Sequence, residues 1–180
     1  VGKDQLPHLE LTREIARRFN DIYKQPVFPE PKEHLTKFPK VLGTDGRKMS
    51  KSYGNTINLS DTEPVVRQKL KTMVTDPARV RRTDPGNPDV CPVYEFHKIY
   101  SPQAVQEQIN TDCRSAAIGC IDCKKQVADR MVAAMAPMWD ARASLVSHPS
   151  RIEEIVQAGS AKAEAIAKAT LAEVNEAMKI

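Results

Sequence analysis

Aromatic side chains are scarce: Phe, Trp and Tyr make up 5% of the 180 residues. Any core must therefore be mostly aliphatic. No apolar run approaches the ~18 to 20 residues that a bilayer-spanning helix needs, which argues against a membrane protein. The opening Val1-Gly2-Lys3-Asp4 lacks the basic stretch and apolar run of a secretory leader. It also lacks Met, as expected of a piece of a longer protein. The stretch from Gly43 to Lys48 does not have the G-x-x-x-x-G-K spacing of a P-loop. No repeat and no low-complexity tail is visible. With no leader, the four cysteines are not expected to form a disulfide framework, and the expected compartment is the cytoplasm.

What is present is a soluble, mildly basic chain, 41% hydrophobic and 28% charged, with a formal charge of +4. The charge is uneven. Residues 1–90 hold 17 Lys and Arg against 12 Asp and Glu, whereas residues 91–180 hold 10 against 11. Two windows, Lys37 to Lys51 and Arg67 to Arg82, carry most of the excess. Basic windows outside long helices are candidate phosphate-facing surfaces, although they also occur as ordinary solvated faces.

Helical periodicity predicts a helix from Asp4 to Asn20, with Pro7 in its first turn and Leu11, Ile15 and Phe19 on one face. Four prolines make residues 25–40 an irregular connection, and 40–42 a short strand. A loop follows over 43–59. Ser60 with Glu63 reads as a capping box for a helix carrying Val66, Leu70 and Met73. Residues 75–92 form a second long loop, then short helices occupy 93–100 and 102–111. A long helix from Ile121 to Ser147 should bend at Pro137. Its stripe is Cys120, Cys123, Val127, Met131, Met135 and Met138. A last helix over 150–178 carries Ile152, Ile155, Ile166, Val174 and Met178, with Gly159 as a point of interruption. The second half should be a helical bundle.

Lys48-Met49-Ser50-Lys51-Ser52 is the most informative string. Two lysines three apart on a Gly-flanked loop, with hydroxyls beside them, can close over a polyphosphate and neutralise the charge that develops as pyrophosphate leaves. Upstream, Val1-Gly2-Lys3-Asp4-Gln5 places an acid and an amide at a helix start, where they could bind hydroxyls and an ammonium group. Asp4 would also serve as an ordinary helix cap.

Together the two strings resemble the class I aminoacyl-tRNA synthetases, and specifically the carboxy-terminal part of the tryptophanyl type. The pentapeptide equals the class I signature loop. The first segment, with its helix through Ile15-Ala16-Arg17-Arg18-Phe19-Asn20, looks like that type's Gly-x-Asp-Gln segment. The resemblance implies the following roles. Val1 would line the indole pocket, Gly2 and Asp4 would contact the adenylate, and Gln5 would contact the tryptophan amino group. Lys48 and Lys51 would hold the phosphates of ATP with Mg, and Ser52 would assist. Val41 or Leu42 would touch adenine. His8 is expected to be a structural helix residue, since a lone imidazole defines no site.

The family's His-Ile-Gly-His type motif is absent from these residues. The chain is therefore expected to lack half of the nucleotide fold and to be inactive alone. The implied fold is mainly α. Residues 1–59 would be the remnant of a Rossmann-type α/β catalytic domain, and 60–180 an α-helical anticodon-binding bundle. The implied partners are ATP, L-tryptophan and tRNA(Trp), with a homodimer in the complete enzyme. A tyrosyl-type synthetase and a stand-alone tRNA- or metal-binding module are the rival readings.

The cysteines are spaced Cys91-x21-Cys113-x6-Cys120-x2-Cys123. Four thiols ending in C-x-x-C suggest one S4 site. Spacing alone favours zinc, and an iron–sulfur cluster takes the same ligands. Four buried, unligated cysteines remain a third possibility. The resemblance favours a 4Fe-4S cluster, because a subset of tryptophanyl synthetases carries one on this pattern, with a first spacer one residue longer.

Overall fold

The computed structural model describes residues 2–180 and is mainly helical. Six α-helices are α1 Leu6–Tyr23, α2 Glu63–Thr72, α3 Pro92–Tyr100, α4 Gln103–Arg114, α5 Cys120–Val146 and α6 Pro149–Met178. Short 3-10 turns lie at Lys3–Gln5, Lys51–Tyr53 and Pro88–Val90. The β pairing recorded among the described residues is one isolated antiparallel bridge, Leu42 to Lys48. The strand expected over 40–42 is thus a single hairpin contact. The chain divides into two compact units, residues 1–39 with 143–180 and residues 40–142.

In the first unit, α1 begins at Leu6 and carries Pro7 in its first turn, where a missing N–H costs nothing. It ends at Lys24 in the left-handed region (φ 55°). The Pro-rich connection is strapped back along α1 by side chains that satisfy its backbone. Asn20 donates to Phe28 O (2.7 Å) and accepts from Phe28 N (3.0 Å). Arg13 Nε donates to Pro31 O (2.7 Å), and Arg17 pairs with Glu30 (2.9 Å). Phe28 meets Phe19 edge-on, with centroids 4.9 Å apart. α6 runs unbroken through Gly159. Its expected apolar stripe is largely exposed, Ile155 at 56% and Ile166 at 63%, and the helix's buried residue, Ala177, lies outside that stripe.

The second unit has a continuous apolar core of Ile57, Val66, Leu70, Met73, Val93, Phe96, Val127, Ala128, Met131 and Met135. The stripe of α5 supplies Val127, Met131 and Met135, whereas Met138 is exposed. α2 starts two positions later than the capping box requires. Thr62 is the N-cap, and no side chain caps it. Asp61 is engaged elsewhere: it accepts from Asn58 N (2.8 Å) and pairs with Lys69 (2.5 Å). A smaller cluster, Tyr94, Ile109 and Ile118, joins α3 to α4.

Leu70 has no exposed surface. Leu70→Ala should lower unfolding free energy by about 2–5 kcal/mol in urea titration, from lost burial and the cavity left behind. Val80→Ala, at a side chain 85% exposed, should change it by less than about 0.5 kcal/mol.

Candidate functional site

The lysine loop is built on a tight hairpin. Gly43 N donates to Arg47 O (2.7 Å), Gly46 N to Gly43 O (3.0 Å) and Met49 N to Val41 O (3.0 Å). Gly46 has φ +80°, a conformation that favours glycine. Val41 and Met49 pack their side chains against the larger core. Ser50 then caps the 3-10 turn Lys51–Tyr53, accepting from Ser52 N (3.3 Å), and Gly54 closes it at φ 63°. Lys48, Lys51 and Ser52 are exposed. Two exposed cationic side chains are therefore carried by an ordered loop, an arrangement suited to a polyphosphate.

Asn55 is the residue that sequence reasoning missed. Its side chain is buried and saturated with hydrogen bonds. Oδ1 accepts from Ser50 N (2.8 Å), while Nδ2 donates to Asp45 Oδ1 (2.7 Å) and Lys48 O (3.1 Å). Its backbone O accepts from Thr44 N (3.0 Å). Any side chain at Gly43 would overlap it. The available signal was an Asn beside a Gly directly after the lysine string. Asp45 also receives Arg47 N (3.0 Å) and the Arg47 guanidinium. The Asn55 amide, with those Arg47 contacts, holds the Asp45 carboxyl down at about 2.

Among the other candidate positions, Val1 lies outside the described residues. Gly2 is extended, and a Cβ there would stand 2.5 Å from the Asp4 carboxylate. Lys3 N donates to Pro39 O, and Gln5 N to Gly2 O (both 3.0 Å). Gln5 Nε2 donates to Asp4 Oδ2 (3.2 Å). Asp4 and Gln5 are thus exposed neighbours on one turn. His8 is an exposed helix residue.

Cys91 caps α3, Cys113 lies in the last turn of α4, and Cys120 and Cys123 occupy the first turn of α5. Cys91 and Cys123 pack against both apolar clusters and Cys113 against the smaller, while Cys120 is near enough to act on the Cys113 and Cys123 thiols. All four thiols are free. Burial, then Cys91, Cys113 and Cys120, push the Cys123 thiol up to about 12. Burial also raises Cys113, while Arg79 beside it acts in the opposite sense. The Arg79 guanidinium lies 3.9 Å from Cys113 Sγ and donates to Ile118 O (2.8 Å) and Arg82 O (3.0 Å). Its Nε is buried without a partner. His97 is buried between Ser101 Oγ (2.8 Å) and Cys123 O (3.2 Å), and burial lowers it to about 4. The donor set is all sulfur with a cation at its edge, which suits a thiolate-ligated group in kind. Among the described residues no three such side chains surround a single metal-ion position.

The family profile described as tRNA synthetases class I (W and Y) matches residues 1–136. The tryptophan–tRNA ligase of Thermotoga maritima is 46% identical over all of this chain, which covers 55% of that protein. The Aquifex aeolicus tryptophan–tRNA ligase is 45% identical, again over all of this chain and 46% of its own length. The chain thus spans about half the length of the curated relatives it matches. In three dimensions, the tryptophanyl-tRNA synthetase of Campylobacter jejuni complexed with ADP and tryptophan superposes with a TM-score of 0.77 at 28% identity, covering all of this chain and 56% of that one.

The Asp45 shift has a testable sign. A carboxyl held at about 2 in the folded state, against an ordinary 3.8, contributes loop stability that is full above the ordinary value and is lost as pH falls toward 2. An NMR titration of Asp45 should show that low midpoint. In Asn55→Ala it should move back up toward the ordinary value.

Proposed function

Because this chain belongs to the class I tRNA synthetases of the tryptophan and tyrosine type, we propose that the complete protein is a tryptophan–tRNA ligase. It would activate L-tryptophan with ATP and Mg, then charge tRNA(Trp). The observation that carries the reading is the Lys48–Ser52 loop, with Lys48 and Lys51 exposed on a turn held by the buried Asn55. The tryptophan–tRNA ligase relatives support tryptophan as the amino acid. Residues up to 59 are read as the end of a Rossmann-type nucleotide domain and the remainder as an anticodon-binding helical domain, in an enzyme that works as a homodimer.

The reaction is an in-line displacement. A tryptophan carboxylate oxygen bonds to the α-phosphorus of ATP as the bond to the β-bridging oxygen breaks, and pyrophosphate leaves with the electron pair. Lys48 and Lys51 neutralise the charge gathering on the leaving group, with Ser52 assisting. Gly2 lets backbone approach the adenylate, Asp4 accepts from ribose hydroxyls, and Gln5 and Val1 address the amino group and the indole. Val41 lies on the adenine side. A terminal ribose hydroxyl of the tRNA then attacks the adenylate carbonyl and releases AMP. Positioning and charge stabilisation supply the acceleration.

Cys91, Cys113, Cys120 and Cys123 are read as ligands of a 4Fe-4S cluster. A single zinc would need sulfurs about 2.3 Å from one point, hence about 3.8 Å from one another. What supports a sulfur-ligated group is that the four thiols lie near enough to act on one another, and the irons of a cluster take one thiolate each. When bound, such a cluster supplies cross-linking of helix ends rather than electrons, since the ligase reaction transfers none.

Two measurements test these readings. Lys51→Ala in the complete protein should lower tryptophan-dependent pyrophosphate exchange by about 10²–10³-fold, with tryptophan affinity and melting temperature nearly unchanged. Unchanged exchange would remove the loop from the chemistry. Anaerobically purified protein should be brown, with iron and acid-labile sulfide at about four of each per chain. Cys123→Ser should bleach it. One tight zinc per chain would replace the cluster, and a metal-free protein with four titratable thiols would eliminate the metal site.

A further inference from the structure

We infer that Asn55 is the positioning residue of the lysine loop, fixing the backbone from which Lys48 and Lys51 reach the phosphates; the inference rests on the adenylation reading above. Asn55 is only 2% exposed, while Lys51, Ser52, Tyr53 and Gly54 before it are all exposed. A polar group is buried at such a cost only when its hydrogen bonds are made. Here they are made to the loop itself. The Lys48 carbonyl and the Ser50 N–H, which flank Met49, both end on the one amide, and the Met49 N–H is held by Val41 O. Three successive residues of the lysine string are therefore fixed by three hydrogen bonds. The 3-10 turn carrying Lys51 starts directly from the last of them.

The amide works in one orientation only. Asp45 is ionised at neutral pH, being held at about 2, and accepts only, so the Asn55 face beside it must be the NH2 group. That choice also gives the Lys48 carbonyl a donor and turns Oδ1 to the Ser50 N–H. The Asp45 carboxylate thus selects the amide orientation, and the amide sets the loop. Gly43 leaves the space that this packing needs, and Thr44, which binds the Asn55 backbone, also accepts from Val74 N (2.9 Å) just beyond α2. The base of the loop is thereby tied to the α2 end of the core, and the lysines stand on a rigid support although their side chains are in solvent.

The sharpest test is isosteric. Asn55→Asp keeps the size and the acceptor for Ser50 but turns an oxygen toward both Asp45 and the Lys48 carbonyl. In the complete protein it should lower kcat for pyrophosphate exchange by about a hundredfold, with tryptophan affinity unchanged. Adding Lys51→Ala to it should cost less than about threefold more, because a misplaced lysine has little left to lose, whereas independent effects would multiply. Asp45→Ala, at an only partly buried position, should give a loss of the same kind but about tenfold, which serves where the Asn55 variant fails to fold. Full exchange activity in Asn55→Asp, or multiplicative losses in the double variant, would overturn the inference. A wild-type protein without tryptophan-dependent exchange would instead overturn the functional reading on which it rests.

Discussion

The second unit has to satisfy the backbone of two long loops without a sheet to do it. Buried N–H and C=O groups must find partners, and here single polar side chains provide them. Asn55 does so for residues 48–50. Asp76, itself buried, accepts from Ala78 N (2.9 Å) and Asn87 N (2.7 Å) and so closes the 75–92 loop on itself. Arg79 and Arg82 donate to the carbonyls of Ile118, Ala116 and Ala117 in the turn before α5. Each of these side chains ties down backbone outside the helices.

The same device shapes the thiol region. Gly86 N donates to Cys113 O (2.9 Å), and a Cβ at Gly86 would stand 2.6 Å from Cys113 Sγ. The proline-rich loop is thus pressed against the end of α4. Arg79 lies between them, bonded to carbonyls and the Cys113 sulfur. A guanidinium bonded in this way, with its Nε buried and unpartnered, draws nearby thiols toward their charged form, while their burial resists it. Ligation of the sulfurs would relieve that conflict, because a metal stabilises thiolates directly.

The sequence made some of this legible and hid the rest for identifiable reasons. Lys48 to Ser52 and the four cysteines were readable as strings, and α5 was readable because Val127, Met131 and Met135 repeat at helical spacing and are buried. The capping box at Ser60 was misleading, since Asp61 is recruited by Asn58 and Lys69 and the helix starts at Glu63 with Thr62 as its N-cap. The stripe on α6 was readable as apolar, yet periodicity records only which face avoids water and says nothing of what covers it. Asn55 was hidden for a deeper reason. Its role depends on Asp45, Lys48 and Ser50 meeting at one amide, and no local propensity encodes that convergence.

The basic windows show why a charge count is a poor map of a binding surface. In the window Arg67 to Arg82, Arg79 and Arg82 spend their guanidinium groups on carbonyls. Arg67 is divided between Glu63 and Asp129. Lys69 pairs with Asp61. In the other window, Arg47 pairs with Asp45 and covers the Tyr53 ring at 4.5 Å. That pairing commits the Arg47 guanidinium to the hairpin of which it is part. Arginine's planar fork suits fixed structural contacts, whereas lysine is a compact charge on a flexible stem that can follow a moving phosphate. Along this loop the arginine holds the hairpin, while the side chains of Lys48 and Lys51 are exposed.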